Sequence, residues 1–514
     1  MSSTRGAIAR GAGKGGAIVL LAKVYFVVVG FAQQVLLRNV LGLEIYGRLS
    51  LALLVVNVVN NVVVSSSTQG TSRIVAGLPE DDDLRGARGA LFGVLRIHLP
   101  LAAALAAIFL ALGWLVVAFE HNPALAMPLR VLTVVVASYA IYAPVIGALN
   151  GLRLFRSQAI LDVLFATLRT LGLVIGAWAF IHVFGARGEV GAVSGFATAA
   201  VLIVPCSLFI FGFGASTRTT FSAKSHLSML LALGAGQFFS NALMQGDLLL
   251  FGRFVHQLPA DPALKADEWV GVYRACQTFA FLPYQLLLGV AQILFPLVAK
   301  AYAERDTARV RELTERGFRA TWLTLGLLVS GLFALRAPLL RIAFGEAAAT
   351  FGTRPLGVLL FGQAMFALFG VSLSVLASVG KERETALTSA GALALVVGAS
   401  FAARASATTG GEDLILRTTI AVSLALFASF LVVTLRIIRA TGGYVPLKTA
   451  LRTILAVAIA AGLSALLPTM HPILALVVRS ALAFVSYAGI LMLSGEVTRD
   501  EIRRAVTSIR SRAF

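Results

Sequence analysis

Residues 91–118 read LFGVLRIHLPLAAALAAIFLALGWLVVA, twenty-eight positions in which Arg96 is the one formally charged side chain. A helix rises about 1.5 Å per residue, so ~20 residues cross the ~30 Å of hydrocarbon in a bilayer. This stretch is long enough to span and too apolar to face water. Stretches of the same character fall at 17–37, 49–77, 91–118, 127–149, 160–182, 191–214, 227–252, 271–298, 319–343, 356–379, 386–403, 414–435, 449–468 and 473–494, which makes fourteen. Membrane barrels use short alternating segments, so the spanning element here is the helix.

The bulk composition agrees. Of 514 residues, 58% are hydrophobic and 13% charged, and the mean hydropathy is +0.88. A soluble domain carries about 25% charge. The expected fold class is all-α: a polytopic membrane protein of about fourteen transmembrane helices. The run that follows Arg5, Arg10 and Lys14 continues to about Leu37 without a small-residue cleavage signal, and reads as a first span that stays.

Net charge is +19, but the bases lie in short linkers between apolar runs and form no aromatic-interleaved groove. Anionic phospholipid headgroups are the expected neighbours, and no nucleic acid. Cys206 and Cys276 have no metal-like or disulfide-framework spacing, and the six histidines are scattered. Gly11 to Gly16 imitates a phosphate loop yet lacks the preceding strand and the full spacing. No cofactor, no metal and no catalytic residues are expected.

Lysines and arginines divide unequally between alternate linkers: 27 on one side, 9 on the other, and seven within spans. That bias supports an even number of crossings with both termini in the cytoplasm. No linker is long enough for a soluble domain, and the largest outer one, about 253 to 270, holds turn and surface residues. Such a chain moves a substrate and is not an enzyme. The organisation read from these features is a cytoplasmic segment 1–16, a six-helix lobe 17–214, a basic linker 215–226, a second six-helix lobe 227–435, two further helices in 449–494 and a basic cytoplasmic tail 495–514. Paired bundles are a common transporter plan.

Charges inside a bilayer are costly and need a partner, a wet cavity or an interfacial position. The candidates are Lys23, Arg96, Arg130, Asp162, Arg169, Asp247, Arg274, Arg336 and Arg479. Arg130 reads as interfacial. Lys23 either snorkels or serves as a cavity cation, and Asp162 either caps its helix or lines a cavity with Arg169. Gln237, Asn241 and Gln245 recur every four residues and form a polar stripe that either glues helices or meets a ligand. Arg274 and Gln277 form a second i, i+3 pair, and an Arg274–Asp247 ion pair is expected to gate the outer side. Asn57, Asn60 and Asn61, followed by Ser65 to Gln69, suit either a glycan-facing wall or a broken helix. Prolines 144, 205, 283, 296 and 338 are expected to kink their helices.

Four strings then resemble one family. Leu36-Leu37-Arg38-Asn39-Val40-Leu41-Gly42-Leu43-Glu44-Ile45-Tyr46-Gly47 is similar to the segment after the first helix of bacterial polysaccharide flippases. Asp247 to Gly252 followed by Val270-Gly271-Val272-Tyr273-Arg274-Ala275 resembles their seventh and eighth helices. Ala291 to Pro296 followed by Lys300, and Ala377-Ser378-Val379-Gly380-Lys381, resemble the exits of helices eight and ten. The strings keep the family's order from about residue 16 to 440. The family is that of the O-antigen and exopolysaccharide flippases of the multidrug/oligosaccharidyl-lipid/polysaccharide (MOP) superfamily.

That resemblance implies a MATE-like, V-shaped pair of six-helix lobes with two extra helices. It implies translocation of an undecaprenyl-pyrophosphate-linked glycan across the bacterial inner membrane by alternating access, with H⁺ or Na⁺ as coupling ion. It gives the cationic cavity role to Lys23, Arg38 or Arg274 and places Asp247 at the lobe opening. A polysaccharide polymerase and glycosyltransferases are its implied neighbours. Two other functions compete: a cation-coupled exporter of small amphipathic compounds, and a non-transporting partner of a glycan-assembly complex.

Overall fold

The computed structural model describes residues 2–78, 84–217, 221–259, 261–468 and 470–498, with side chains from Val24 onward. The side chain of Lys23 and the basic tail after residue 498 lie outside the described residues. The helices are α1 (Ser2–Ala76), α2 (Leu84–Glu120), α3 (Ala126–Gly151), α4 (Phe155–His182), α5 (Gly188–Phe211), α6 (Ala223–His256), α7 (Ala266–Ala280), α8 (Leu282–Ala303), α9 (Thr307–Ser378), α10 (Glu382–Ser406), α11 (Gly411–Thr441), α12 (Leu447–Ala465) and α13 (Pro472–Leu493). With α7 and α8 taken together, twelve helical stretches among the described residues are long and apolar enough to cross a membrane. The chain is a multi-pass, all-α membrane protein.

Two helices are unusually long: α1 has 75 residues and α9 has 72. Each contains one residue outside helical geometry, Gly42 (φ 75°, ψ 172°) and Gly345 (φ 83°, ψ −176°). Positive φ with extended ψ is open to glycine and strained for any residue with a Cβ. Around 57–68, by contrast, α1 is unbroken. The broken-helix alternative for those polar residues is therefore corrected: Ser66 Oγ returns to Val62 O of the preceding turn at 2.7 Å, and Thr68 Oγ1 donates to Ala143 O of α3 at 3.3 Å. Pro144, Pro205, Pro296 and Pro338 lie inside helices, while Pro283 stands in the first turn of α8, just past the break from α7.

The chain forms two compact units, Met1–Gly271 and Val272–Phe514. In lipid, apolar side chains gain little by meeting each other, so helices associate through close backbone approach at small residues. Unit 1 shows this between α4 and α5. Gly172-x-x-x-Gly176 faces Gly191-x-x-x-Gly195, and a Cβ on Gly195 would lie 1.9 Å from Gly172 O. Gly147 of α3 likewise has no room for a Cβ, at 2.6 Å from Thr68 O of α1. The second half of α1 runs antiparallel to α6, with Gly70 beside His226 and Leu230, Val62 beside Gly234 and Leu51 beside Gly252.

Unit 2 has a core of Leu287, Leu294, Val298, Phe318, Trp322, Leu368, Val375, Phe430 and Ile437, drawn from α8, α9 and α11. The pair α12–α13 joins α9 through Ala456, Ala460, Tyr487 and Leu491, with Tyr487 Oη donating to Leu323 O at 2.8 Å. Outward positions remain apolar: Trp114 is 65% and Val485 71% exposed. Such a surface would drive aggregation in water and is solvated in lipid.

Candidate functional site

In unit 1 the structure joins the two polar stretches singled out above. Asn61 Nδ2 donates to Asn241 Oδ1 at 2.8 Å, and Asn241 Nδ2 donates to Gln237 O at 2.8 Å. That pair holds α1 to α6. Its neighbours are different. Asn60 is 2% exposed and neither of its amide atoms has a protein partner; Gln245 Oε1 is also buried without one. Asn57 and Gln237 are half-buried. Asp247 is buried, and its Oδ1 accepts from the Leu248 backbone N–H at 2.9 Å.

The in-span cations separate by what their guanidiniums do. Arg336 stacks 3.9 Å from the Phe333 ring and donates to Phe333 O at 2.6 Å. Arg479 donates to Ser464 O at 3.0 Å and Leu467 O at 3.2 Å, closing the C-terminal end of α12. Arg96 is exposed, and Arg130 lies 5.6 Å from the Trp114 ring close to the start of α3. Those four have structural employment or an outward position. Arg38, Arg169 and Arg274 are half-buried and keep a buried Nε–H with no protein acceptor, as Arg479 also does, but unlike Arg336 and Arg479 they give no guanidinium hydrogen bond to a backbone carbonyl among the described residues. Arg38 Nη1 touches Asn39 Oδ1 at 3.3 Å, Arg169 lies 4.9 Å from the Phe196 ring, and in unit 2 Arg274 Nη1 donates to Gln277 Oε1 at 3.4 Å. Asp162 lies a turn and more inside α4, whose N-cap is Leu154, so it is not the cap.

One end of unit 1 gathers charges that sequence reasoning did not connect. Arg48 Nε donates to Asp267 Oδ2 at 3.0 Å, and its Nη1 donates to Glu189 Oε1 at 3.3 Å. Arg187 Nη2 meets Glu189 Oε1 at 2.6 Å, and Lys265 Nζ meets Glu44 Oε2 at 2.8 Å. The Glu44 carboxylate holds the Lys265 ammonium above the usual lysine range. Asp267 Oδ1 also accepts from His256 Nε2 at 3.1 Å and Asn122 Nδ2 at 2.9 Å. His256 Nδ1 faces Gly252 O at 2.7 Å. His256 Nε2 also lies 3.2 Å from Asn122 Nδ2. Gly47 and Gly271, each inside a string that carried the family resemblance, meet here: a Cβ on Gly47 would lie 2.7 Å from Gly271 N.

At the other end of unit 1, His98 Nε2 and His226 Nε2 are 3.2 Å apart, both rings buried. His98 Nδ1 donates to Ala140 O at 2.9 Å, so His98 accepts at Nε2 and His226 donates. The histidines read as scattered include this pair, 128 positions apart. In unit 2, Glu496 ties three helices at one end. It accepts from Arg319 Nε at 2.9 Å, Thr449 Oγ1 at 2.8 Å and Arg452 Nη1 at 3.0 Å. Burial pushes the Glu496 carboxyl upward, but the bonds from Arg319, Thr449 and Arg452 outweigh it and hold it below the usual range.

The missed network had a signal. In unit 1, alternate linkers or their flanking turns carry an acid: Glu44, Glu120, Glu189 and Asp267. Alternating spans return those positions to one end, so the acids converge without any local motif.

No protein-family model matches the chain, and no curated protein matches it. Solved structures do. An inward-closed lipid II flippase MurJ is 12% identical, with a TM-score of 0.69 over 93% of this chain and 98% of that one. An inward-facing multidrug resistance MATE family transporter of the MOP superfamily is 17% identical, with a TM-score of 0.66 over 82% of this chain and 98% of that one. A MOP-superfamily transporter from Pyrococcus furiosus Vc1 is 17% identical, with a TM-score of 0.56 over 82% of this chain and 95% of that one. At these identities the likeness is one of fold, that of MOP-superfamily polytopic transporters.

Proposed function

With the fold of a MOP-superfamily transporter as premise, we propose that the chain flips an undecaprenyl-pyrophosphate-linked oligosaccharide across the bacterial inner membrane for polysaccharide synthesis. The observation that carries this reading is breadth of likeness. The lipid II flippase matches 93% of the chain and the multidrug transporter 82%, and the margin has the size of the α12–α13 pair. The wider match to the flippase supports a lipid-linked cargo.

The chemistry is recognition and translocation, with no covalent bond changed. A diphosphate leaving the headgroups needs charge-assisted hydrogen bonds. Arg38 and Arg169 in unit 1 and Arg274 in unit 2 have donors to give. Asn60 and Gln245 have amide atoms for sugar hydroxyls, with Asn57 and Gln237 flanking them. Lys23 joins this set by sequence alone. Asp247, buried in α6, is the carboxyl assigned to the outer opening.

In this reading the two broken helices each cross twice. About 30 Å of hydrocarbon needs ~20 residues, and 72 residues is more than three times that. Counting α1 and α9 twice, with turns at Gly42 and Gly345, gives fourteen crossings and both termini in the cytoplasm, arranged as lobes 17–214 and 227–435 with two added helices. Anionic phospholipid faces the basic linkers, and a polysaccharide polymerase and glycosyltransferases act beside it.

Reconstitution in liposomes with fluorescent undecaprenyl-pyrophosphate oligosaccharide and a membrane-impermeant probe tests the reading. Folded protein that leaves the glycan in its original leaflet ends it. The likeness to a multidrug transporter at a TM-score of 0.66 favours a second reading, export of small amphipathic compounds, which the same liposomes examine with a dye cargo.

A further inference from the structure

Glu120 closes α2, and α6 passes it at Gly252. A Cβ on Gly252 would lie 2.6 Å from Glu120 Oε2 and 2.9 Å from Leu51 Cδ2, so the carboxyl occupies the space a side chain would need. Glu120 is 0% exposed, and neither carboxyl oxygen receives a hydrogen bond from the protein. Every other acid gathered in the network at this end is matched. Glu44 has Lys265 and Arg48, Glu189 has Arg187 and Arg48, and Asp267 has Arg48, His256 and Asn122. Arg253 follows Gly252 in sequence, yet its guanidinium lies 4.2 Å from the Phe119 ring with Nη1 3.4 Å from Phe119 O.

An ionised carboxylate in an apolar enclosure with no donor is far costlier than the neutral acid. We propose that Glu120 is the proton-binding site of this carrier, taking its proton from the water at this end of unit 1 and returning it when the carboxyl is uncovered. On binding, one O–H bond forms at the carboxylate; on release that proton passes to water and one negative charge remains. The charged groups that act on it are Arg253 on α6 and Asp267 on α7, and through Asp267 the network at this end adds Glu44 and Arg48 on α1, Arg187 and Glu189 on α5, His256 on α6 and Lys265 in the linker, with His121 next to Glu120 and Glu268 next to Asp267 in sequence. Their bases are largely engaged, so a newly ionised Glu120 must compete for them and disturbs the network that holds the first turn of α7 to α1. A hard metal cation requires a shell of oxygen ligands, whereas Gly252 and Leu51 press on this carboxyl. The inference rests on the transport reading and names its coupling ion as H⁺.

Infrared difference spectroscopy of the full-length protein in liposomes, between acidic and alkaline buffers, reads the carbonyl stretch of protonated carboxyls. Wild type should keep such a band at neutral pH, Glu120→Gln should lose it, and Arg253→Gln should keep it to more alkaline pH. If Glu120→Gln does not reach the membrane, Glu120→Asp should shift the band. A wild-type spectrum without the band, or a band that Glu120→Gln retains unchanged, overturns the proposal. The spectrum needs no cargo, so a glycan that fails to move counts against the flippase reading and leaves the proton site to be decided by the band. Where cargo does move, Glu120→Gln should lose the dependence of translocation on the proton gradient, and its retention also overturns the proposal.

Discussion

Arg48 reaches Asp267 with two nitrogens, Nε at 3.0 Å and Nη2 at 2.9 Å, across 219 positions of sequence. Both nitrogens converge on Oδ2, while Oδ1 takes His256 and Asn122, so both carboxylate oxygens have partners. Removing one partner strands the other in a poorly solvated place. Arg48→Gln and Asp267→Asn are each expected to destabilise the protein by on the order of 2–3 kcal/mol, below the ~3–5 kcal/mol of a fully buried pair, because His256 and Asn122 remain on Asp267. The double variant should lose less than the two singles together. Thermal unfolding in detergent checks both, and strict additivity would show that the pair is not coupled.

The α4–α5 seam predicts a sharper effect. Gly195→Leu places a branched side chain where a Cβ alone would already lie 1.9 Å from Gly172 O. The helices must separate, at a cost of at least ~1–3 kcal/mol. Gly462→Ala in α12 is the control, since its Cβ would meet nothing within 4 Å, and it should be neutral or stabilising by up to ~1 kcal/mol. Yield and monodispersity in detergent after membrane extraction should fall for the first and hold for the second.

The span pattern was legible because length and hydropathy are local: a stretch such as 91–118 declares itself without reference to anything else. The breaks at Gly42 and Gly345 were half legible. The strings ending in Tyr46-Gly47 and running through Gly271 marked special backbone, but that these two glycines meet is a tertiary fact. Asn61 and Asn241 were each picked out as polar residues in apolar helices, and whether they glue or bind depended on who faced whom. Arg48 was counted only for sidedness, Asp267 fell in a linker of turn and surface residues, His256 was one of six scattered histidines, and Glu189 was not singled out. Their pairing is long-range, with no spacing rule to expose it. Glu120 was invisible for the opposite reason: its character comes from the absence of a donor around it, which no composition records.

Acid should weaken unit 2 through Glu496. Its folded carboxyl titrates below the unfolded value of about 4.3, so its contribution is fully present above that value and is lost as pH falls through the lower, folded one. Glu496→Gln removes the charge that Arg319 and Arg452 share, and should lower stability at neutral pH. Wild type and variant should converge as the buffer is acidified. Melting temperatures measured across an acid series check this, and a constant gap at every pH would contradict it.

If α9 turns back at Gly345, the exposed Glu346 stands at the outer face while Arg305 and Glu382 stand at the inner one. Glu346→Cys in a Cys206→Ser, Cys276→Ser background should react with an impermeant maleimide added to intact cells. Arg305→Cys and Glu382→Cys should react only after the membrane is opened. Labelling of Arg305→Cys and Glu382→Cys from opposite faces would mean a single crossing by α9.

The cations offer the most direct contrast for cargo. Arg336 and Arg479 give their guanidiniums to backbone carbonyls of their own neighbourhood, at 2.6 Å from Phe333 O and 3.0 Å from Ser464 O. Neutralising them should cost stability and leave the intrinsic rate of translocation close to wild type. Arg38, Arg169 and Arg274 give no hydrogen bond to a backbone carbonyl among the described residues and each retains a buried Nε–H without an acceptor; Arg479 shares the bare Nε but has committed its Nη groups to carbonyls. A hydrogen bond to a charged group is worth ~1.5–3 kcal/mol, so each Arg→Gln change at these three positions should lower glycan translocation by about 10- to 100-fold while the melting temperature holds. The two sets thus separate stability from transport in one panel of five variants. Equal loss of translocation in both sets, or none in the second, would mean that the diphosphate is neutralised elsewhere.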